Sequence, residues 1–391
     1  MHDPNTYFFA SHHQPSTRRD FFRMLIGGPL AGASILELAW HRAAWARALA
    51  PPAAASLFDI EKVNEGIYFA QARPQAEVNC NSAIFVNSNG VLVVDTHSKP
   101  SAAAWLIAQI KKEVTSKPVR FVVNTHFHWD HIQGNQAYRA TGGEIDFIAS
   151  KPTGQLMSDL AQKRLQASLD EVPKQIDQMR ARADKSGLAA EKAFCEEQIR
   201  QLQAYQAEMR NFTLELPTIT FEKSYVLKEG GEELHLEFHG RAHTAGDVVV
   251  FCPAKRVVAT GDMIHGALPF MADGFPKSWP KTIDSVAALG FDKVCPGHGA
   301  VHKNRQIMTS MRNYIEELTE RVEAGKKAGQ SIADLQKTIT IASLKSMQAD
   351  GYGQYLTENA FKHSPRFGPA RELQSGVNVN IADIYNNLEK V

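Results

Sequence analysis

The sequence Thr125-His126-Phe127-His128-Trp129-Asp130-His131 places three imidazoles and one carboxylate within six residues, directly after the apolar run Phe121-Val122-Val123. Such a run is typical of a buried strand, and the carboxyl ends of strands in open sheets present ligand-binding loops. These polar groups are costly to bury without partners, so they need water or a cation. Histidine and aspartate without a nearby cysteine are the donors of a catalytic zinc-type site. We therefore predict a metal site here; a surface loop in which histidines happen to cluster is the alternative.

Three shorter motifs further along the chain each place one more ligand beside a glycine. They are Ala242-His243-Thr244-Ala245-Gly246-Asp247, Thr260-Gly261-Asp262 and Pro296-Gly297-His298-Gly299. Each adjoins an apolar, strand-like run, and glycine allows the close backbone approach that a packed site needs. A lone histidine at a strand end is more often structural, but three such ligands downstream of the first cluster indicate a shared site.

Two stretches of the chain show the same order of several strands followed by strand, helix and strand. In the first, strands are predicted at 67–70, 82–86, 91–94 and 121–124, with a turn at 87–90 and a helix at 101–112. In the second, strands are predicted at 213–221, 225–227, 233–238, 248–251 and 257–260, followed by a helix at 281–289 and a strand at 293–295. This alternation predicts an α/β fold with helices on the outer faces of its sheets.

Residues 151–210, between these two halves, are charged, rich in Gln and Ala, and almost without strand signal. Apolar residues step along a helical seam at Leu165, Leu169, Val172, Ile176 and Met179. A second helix is predicted at 189–209, so the segment is interpreted as an inserted helical hairpin: a lid, a homodimer contact or a brace. Beyond residue 302 the chain is predicted to be largely helical, with a loop at 351–375 and a short last helix near 381–388.

With these motifs in this order, the sequence resembles the metallo-β-lactamase superfamily over roughly residues 63–302. The His-x-His-x-Asp-His run, followed by a later His, Asp and Pro-Gly-His-Gly, carries the resemblance. It implies an αββα sandwich of two similar halves with the site along one edge. It also implies two zinc ions, one held by His126, His128 and His243 and the other by Asp130, His131 and His298, with Asp262 bridging them.

The resemblance implies a chemistry as well. Two zinc ions about 3.5 to 4 Å apart lower the pKa of a shared water and present hydroxide to a carbonyl or phosphoryl centre. Asp130 and Asp262 are the candidate catalytic carboxylates, since Asp130 keeps one oxygen free to orient the nucleophile or to pass on its proton. The His-x-His pattern, where a di-iron reductase branch has His-x-Glu, favours zinc hydrolysis.

The substrate is defined less well. Residues 240–264 are similar to the corresponding stretch of β-lactamases that use a zinc-bound cysteine, but Asp262 stands at the cysteine position. The aspartate is the pattern of glyoxalase-II-like, lactonase-like and sulfatase-like members. His265 replaces a lysine that meets the substrate carboxylate, so it is a candidate substrate-binding residue, with exposed loop filler as the alternative. Asp95 is a candidate outer partner, because zinc-bound histidines usually donate their other N–H to a carboxylate.

The first fifty residues look like a targeting segment. Thr17-Arg18-Arg19-Asp20-Phe21-Phe22-Arg23 is similar to a twin-arginine export motif, and a mostly apolar run follows from Met24 to Trp40. That run contains Glu37, glycines and a proline, and is shorter than the roughly twenty apolar residues of a spanning helix. We therefore expect a cleaved signal at 1–50, a periplasmic protein and no stable membrane span after processing. A membrane-anchoring helix is the alternative.

Composition narrows the functional classes further. The chain has 391 residues, of which 43% are hydrophobic, enough for a full core. Beyond residue 50 it has 38 basic and 39 acidic residues, and this net charge of −1 gives no electrostatic basis for nucleic-acid binding. The four cysteines show no Cys-x-x-Cys spacing. Cys252 and Cys295 could pair in an oxidising compartment, but burial as free thiols is expected.

These observations predict an exported dinuclear zinc hydrolase that opens an ester, thioester, lactone or amide bond of a small molecule. Its catalytic domain would span 57–304, including the insertion at 151–210, followed by a helical extension at 305–391. Two rival functions stay open at this point. One is a true metallo-β-lactamase that hydrolyses β-lactams, and the other is a non-catalytic metal-binding accessory protein of a periplasmic system.

Overall fold

The structure is a computed structural model that describes residues 56–73, 80–187, 189–229, 232–360 and 369–390. The predicted signal at 1–50 lies outside these residues. Among the helices of the described part, none is long and apolar enough to cross a membrane.

The first half of the chain forms a seven-stranded sheet whose strands follow one another in sequence order. Its strands are β1 (Phe58–Asn64), β2 (Ile67–Ala72), β3 (Ser82–Val86), β4 (Val91–Val94), β5 (Val119–Val123), β6 (Asp146–Ser150) and β7 (Ile219–Phe221). The first four pair antiparallel, and from β4 onwards the neighbours are parallel. A parallel pair needs a crossover, and helix α1 (Pro100–Glu113) connects β4 to β5. Two short helices, α2 (Trp129–Ile132) and α3 (Asn135–Arg139), follow β5.

The insertion between β6 and β7 is helical, as the sequence predicts. It consists of α4 (Lys151–Leu156), a π-helical turn (Met157–Ala161), α5 (Gln162–Lys185) and α6 (Ala189–Met209). Most residues of the predicted seam pack between the two long helices of the hairpin: Leu165, Val172 and Ile176 contact Leu202 and Tyr205. The cluster also includes Trp129 of α2, so the hairpin lies against the segment that carries the metal-site motif. The homodimer contact through 151–210 stays a prediction, which sedimentation velocity would test.

The second half of the chain forms a five-stranded sheet with the order β12-β11-β10-β9-β8. Its strands are β8 (Ser224–Glu229), β9 (Glu232–Phe238), β10 (Val248–Cys252), β11 (Val257–His265) and β12 (Lys293–His298). Strands β8 to β11 pair antiparallel, and β12 is parallel to β11 after a crossover through α7 (Trp279–Ala287). This repeats the plan of β1 to β5, so the two halves are similar.

The two sheets pack face to face with helices outside. Strand residues alternate between the layers, since successive side chains point to opposite faces. Leu92 and Val94 of β4 meet Val248 and Val250 of β10 in the inner core, whereas Val93 packs under α1 with Leu106 and Ile110. Val249 and Phe251 pack outward against α7 and α8 (Gln306–Lys327). The αββα sandwich is therefore confirmed.

After α8 the chain continues as α9 (Ile332–Thr338), α10 (Lys345–Gln348), α11 (Tyr352–Tyr355), a π-helical turn (Leu356–Ala360) and α12 (Pro369–Asn387). The predicted loop at 351–375 is wrong where the structure describes it, because Tyr352, Leu356 and Leu373 are buried in the core that α8 forms. Tertiary burial here outweighs the glycines and polar residues that suggested a loop. The last helix likewise begins earlier than predicted.

Candidate metal centre

Four strand ends meet at one edge of the sandwich and carry the predicted site residues. Asp95 follows β4, the histidine-rich run follows β5, Asp262 lies near the end of β11, and His298 ends β12. These are the corresponding strands of the two halves. The backbone N–H of Val248 donates to the carbonyl of Thr125 over 2.8 Å, which joins the halves directly beside the site.

The histidine-rich run changes conformation halfway along. His126 lies in a bend directly after β5, and His128 follows two residues later. His128 is the extended N-cap residue of α2, and Asp130 and His131 lie within that helical turn. The change from extended to helical backbone separates the four ligands into two pairs, which face two neighbouring positions.

The first group of donors consists of three imidazoles. Nε2 of His126 lies 3.1 Å from Nδ1 of His128, which lies 2.8 Å from Nε2 of His243. Nitrogens that share a tetrahedral zinc at about 2.0–2.1 Å would lie about 3.3 Å from one another. The three rings are buried and converge on one point, so this group matches the first predicted zinc site in its donors and spacing.

The second group combines two imidazoles with a carboxylate. Nε2 of His298 lies 3.2 Å from Oδ2 of Asp130, and Nε2 of His131 lies 3.5 Å from the same oxygen. Asp262 lies between the two groups. Its Oδ1 is 3.3 Å from Nε2 of His131, and its Oδ2 is 3.5 Å from Nε2 of both His243 and His298. One carboxylate therefore reaches donors of both groups, as a bridging ligand would.

Hydrogen bonds on the outer side of the rings fix which nitrogen faces the centre. His131 donates from Nδ1 to Oδ2 of Asp95 over 2.8 Å, and His243 donates from Nδ1 to the carbonyl of Phe270 over 3.0 Å. His128 donates from Nε2 to Oδ2 of Asp273 over 2.8 Å. When each ring is neutral, these bonds keep its single proton on the outer nitrogen, and the inner nitrogen presents a lone pair. Such outer partners are the usual companions of metal-bound histidine.

The inner atoms lack the hydrogen bonds that a metal-free polar cluster needs. Nε2 of His131, Oδ1 of Asp262 and Nε2 of His265 are buried, and although they lie close to neighbouring site atoms, none of them has a partner at a hydrogen-bonding angle. Buried polar groups nearly always have a hydrogen-bond partner, so these atoms indicate that a further partner binds here. A bound cation would give each of these buried nitrogen and oxygen atoms a partner. The nitrogen and oxygen set without a thiolate suits zinc in a catalytic type of site.

The charges of the site depend on one another. Burial lowers the pKa of His126 and His243 well below 6.5, which keeps them neutral and able to coordinate. Burial also opposes charge on His298, but Asp262 and Asp130 raise its pKa to about 9. The pKa of Asp262 is held well below 3.8, against its burial, by the surrounding histidines. In the metal-free protein, protons on histidine thus balance the carboxylates, so metal binding would release protons.

Backbone geometry at the strand ends supports this packing. Asp95 adopts a φ of 64°, in the left-handed region that a side chain other than glycine rarely occupies. In this conformation its carboxylate accepts from His131 and also from the backbone N–H and hydroxyl of Thr125, both over 2.8 Å. Strain of this kind is typical of functional sites. At Gly297, a Cβ atom would lie 2.0 Å from Oδ1 of Asp262, so only glycine allows β12 to pass.

His265 lies inside the site, at the end of β11, and is only 5% exposed, so the alternative of an exposed loop residue is wrong. Its Nε2 is 3.1 Å from Oδ2 of Asp262, and its ring stacks on that of His298 with centroids 5.5 Å apart. His97 is buried beside Phe58 and donates from Nδ1 to the carbonyl of Cys80, and it belongs to none of the candidate ligand groups among the described residues. Trp129 packs against Tyr205 of the insertion.

Some contributors to the site do not follow from sequence reasoning. Asp273 and the carbonyl of Phe270 belong to the loop between β11 and α7, and Arg164 belongs to the insertion. Nothing in the local sequence marks them, since each acts through a contact distant in the chain. Cys252 and Cys295 are both buried as free thiols, as expected.

A family model of the metallo-beta-lactamase superfamily matches residues 76–298, more than half of the chain. The chain belongs to the metallo-beta-lactamase superfamily. The match covers all of the predicted ligands. Fold and family membership together support a hydrolase that binds metal through its His and Asp groups.

Relatives of this superfamily member include a linear primary-alkylsulfatase from Pseudomonas sp. (strain ATCC 19151), 24% identical over 298 residues. The alignment covers 71% of this chain and 52% of that protein, so the chain spans about half the length of this relative. Among solved structures, a metallo-beta-lactamase from Pontibacter korlensis is 19% identical with a TM-score of 0.46, covering 65% of this chain and 98% of that one. A metallo beta lactamase from Hirschia baltica is 18% identical, also with a TM-score of 0.46, covering 66% and 97%.

Proposed function

We propose that the protein is a dinuclear zinc hydrolase that cleaves an ester-type bond in a small molecule. The observation that carries this proposal is the position of Asp262, whose two oxygens reach both donor groups. A carboxylate in that place favours two bound ions of the same kind, because it offers each an oxygen donor. Two zinc ions held here would supply an activated water at neutral pH and a positive charge beside the electrophile.

Asp130 and His265 have further roles in the proposed reaction. Asp130 faces His298 through Oδ2, and its pKa is held at about 2, against its burial, by His131 and His298. As a carboxylate it can orient a nucleophilic water and accept a hydrogen bond from it. His265 lies beside Asp262, with its Nε2 3.1 Å from Oδ2, and we propose that it contacts an oxygen of the bound substrate.

Ester substrates are favoured over β-lactams for two reasons. Asp262 occupies the position where the β-lactamases that resemble this segment have a cysteine, and the relative of 24% identity is named as an alkylsulfatase. We propose sulfate esters and carboxylic esters, including lactones and thioesters, as the substrate classes to examine first. Two zinc ions held by these residues would supply the positive charge that the anionic group of a sulfate monoester needs.

The test is a substrate panel on purified protein whose zinc content has been measured. The panel contains alkyl sulfates, lactones, thioesters, phosphate esters, amides and a chromogenic cephalosporin. We expect turnover of at least one ester class, and its loss in His126→Ala. Turnover of the cephalosporin alone would make the protein a β-lactamase. Bound zinc without any turnover would instead favour a non-catalytic metal-binding accessory protein and refute the hydrolase.

We also propose that the protein is exported to the periplasm by the twin-arginine route, on the basis of the motif around Arg18 and Arg19. Replacing both arginines by lysine should leave the protein in the cytoplasm, measured by cell fractionation. Normal periplasmic accumulation of this variant would refute the proposed route.

A further inference from the structure

The loop between β11 and α7 reaches the metal centre through Asp273. The carboxylate of Asp273 is 13% exposed, and its Oδ2 accepts the Nε2–H of His128 over 2.8 Å. This bond determines the orientation of the His128 ring and therefore the direction of its Nδ1 lone pair. The alignment of the three nitrogens in the first donor group thus depends on how firmly Asp273 is held.

Arg164, from the first turn of α5 in the insertion, holds the other side of the same carboxylate. One terminal nitrogen of its guanidinium lies 2.7 Å from Oδ2 of Asp273, and the other lies 2.8 Å from Oδ1. The guanidinium also lies over the ring of Phe127, 4.9 Å from its centroid. A two-point contact of this kind restricts the rotation of the carboxylate as well as its distance.

The backbone next to Asp273 is held by the C-terminal part of the chain. Asn387 of α12 donates its amide to the carbonyls of Met271 and Ala272, over 2.8 and 2.9 Å. Lys390 donates to the carbonyl of Ala272 over 3.2 Å. The loop is therefore fixed by the C-terminal helix through its backbone, whereas its carboxylate is fixed by the insertion through Arg164.

We infer that Arg164 is a positioning residue for the metal centre, which acts through Asp273 to aim Nδ1 of His128 at the ion held with His126 and His243. The inference rests on the proposed metal binding and gives the insertion a role beyond packing. A π-helical turn, Met157–Ala161, immediately precedes the helix that carries Arg164. Such turns are frequent at functional sites because they shift the register of the following residues.

The geometry explains why an arginine is required. Its planar fork bonds both carboxylate oxygens, and its flat face packs on Phe127. A lysine carries the same charge but binds as a point and cannot fix the carboxylate plane. Arg164→Lys should therefore retain the charge yet lose most of the positioning.

The test measures zinc affinity by competition with a chromogenic chelator, which does not depend on any substrate. Loss of an outer partner of a metal-bound histidine typically weakens metal binding about 10–100-fold. We expect Asp273→Asn to fall in this range at one of the two sites, and Arg164→Gln and Arg164→Lys to weaken the same site by roughly tenfold. Arg180→Gln is the matched control, since Arg180 lies on the same helix in an exposed pair with Asp177.

The double variant Arg164→Gln/Asp273→Asn separates positioning from general support of the fold. If Arg164 acts through Asp273, the double variant binds zinc about as weakly as Asp273→Asn alone, whereas independent effects would add. The visible spectrum of the cobalt-substituted protein should change in Arg164→Lys, since it reports the ligand geometry at the ion. Wild-type zinc affinity and cobalt spectrum in both Arg164 variants, or additive losses in the double variant, would overturn the inference. A wild-type protein that binds no metal would overturn the proposed function with it.

Discussion

At residue 297, β12 passes so close to Asp262 that a side chain of any size would displace the carboxylate. A Cβ atom there would lie 2.0 Å from Oδ1 of Asp262 and 2.8 Å from the backbone carbon of Gly261. Gly297→Ala should therefore move the carboxylate away from both donor groups and reduce bound zinc from two ions to one or none. Metal analysis after dialysis measures this, with circular dichroism to confirm the fold.

Gly187→Ala is the matched control, because a Cβ at Gly187 would meet nothing within 4 Å and its backbone has no positive φ. This variant should retain the zinc content of the wild type. Full zinc content in Gly297→Ala would contradict the account of close packing at the site.

Asp262→Asn tests the bridging role directly. Asparagine keeps the shape of the side chain but removes the negative charge and one of the two acceptor oxygens. We expect the first ion, held by three histidines, to remain and the second to be lost or weakened by about tenfold or more. Isothermal titration calorimetry with zinc would show this as one binding step in place of two. Two unchanged steps would show that Asp262 does not bridge.

The predicted ligands follow from the sequence because they lie in short motifs beside strand ends, where His126 to His131 alone supply four donors. Their convergence with His243, Asp262 and His298 depends on topology, and the αββα arrangement provides it. Asp273 and Arg164 could not be predicted, since their roles arise from a contact between a loop and an insertion that are 109 residues apart. A single acidic or basic residue in such a segment is usually exposed to solvent, so the sequence alone does not distinguish one that contacts the site.

At the level of elements, the inserted hairpin is held together by its apolar seam. Leu202 of α6 is 3% exposed and packs with Leu165, Val172 and Tyr205. Leu202→Ala should destabilise the protein by about 2–5 kcal/mol, the usual cost of removing a buried leucine side chain. Leu216→Ala is the matched control: Leu216 is 44% exposed, and a surface change of this kind is expected to stay within about 0.5 kcal/mol. Urea unfolding measures both, and equal effects would refute the packing role.

Secondary structure was predicted correctly where the apolar pattern extends over many residues. It was predicted wrongly where residues are buried by contacts with segments distant in the sequence. The seam residues of α5 step by three and four, and the helix lies where this pattern places it. The strand predicted at 213–221 is shorter, because only Ile219–Phe221 pairs with β6. The residues before it, including Phe212 and Leu214, instead pack on the hairpin. Their apolar character reflects that contact, which a local pattern cannot distinguish from a strand.

In the whole molecule, both additions to the two-sheet sandwich converge on the loop that carries Asp273. The insertion contacts its carboxylate through Arg164, and the C-terminal helix contacts its backbone through Asn387. The resemblance to the family predicts the sandwich but not this arrangement, because these segments lie outside the shared motifs. The loop beside the centre is consequently held by two other parts of the chain, so a change in the C-terminal helix should alter the stability of the protein.

Asp383 of α12 is a residue at which such a change can be tested. Its Oδ2 is shielded from solvent without a hydrogen-bond partner, and burial, together with the charge of Asp273, raises its pKa to about 7, although Lys390 opposes this. A carboxyl group with a raised folded-state pKa binds more protons when folded than when unfolded. The free energy of unfolding therefore falls as pH rises from about 4 to 7, and the loss is complete above pH 7.

Asp383→Asn should remove this dependence, because an amide stays neutral at every pH. We expect the variant to gain on the order of 2 kcal/mol relative to wild type between pH 5 and pH 8.5, measured by urea unfolding at both values. Comparing variant with wild type at each pH cancels the protonation of the metal ligands, which both proteins share. Glu389→Gln, an exposed change next to the same helix, should show no such difference. A constant difference between Asp383→Asn and wild type at the two pH values would show that Asp383 is already ionised at pH 5 in the folded protein.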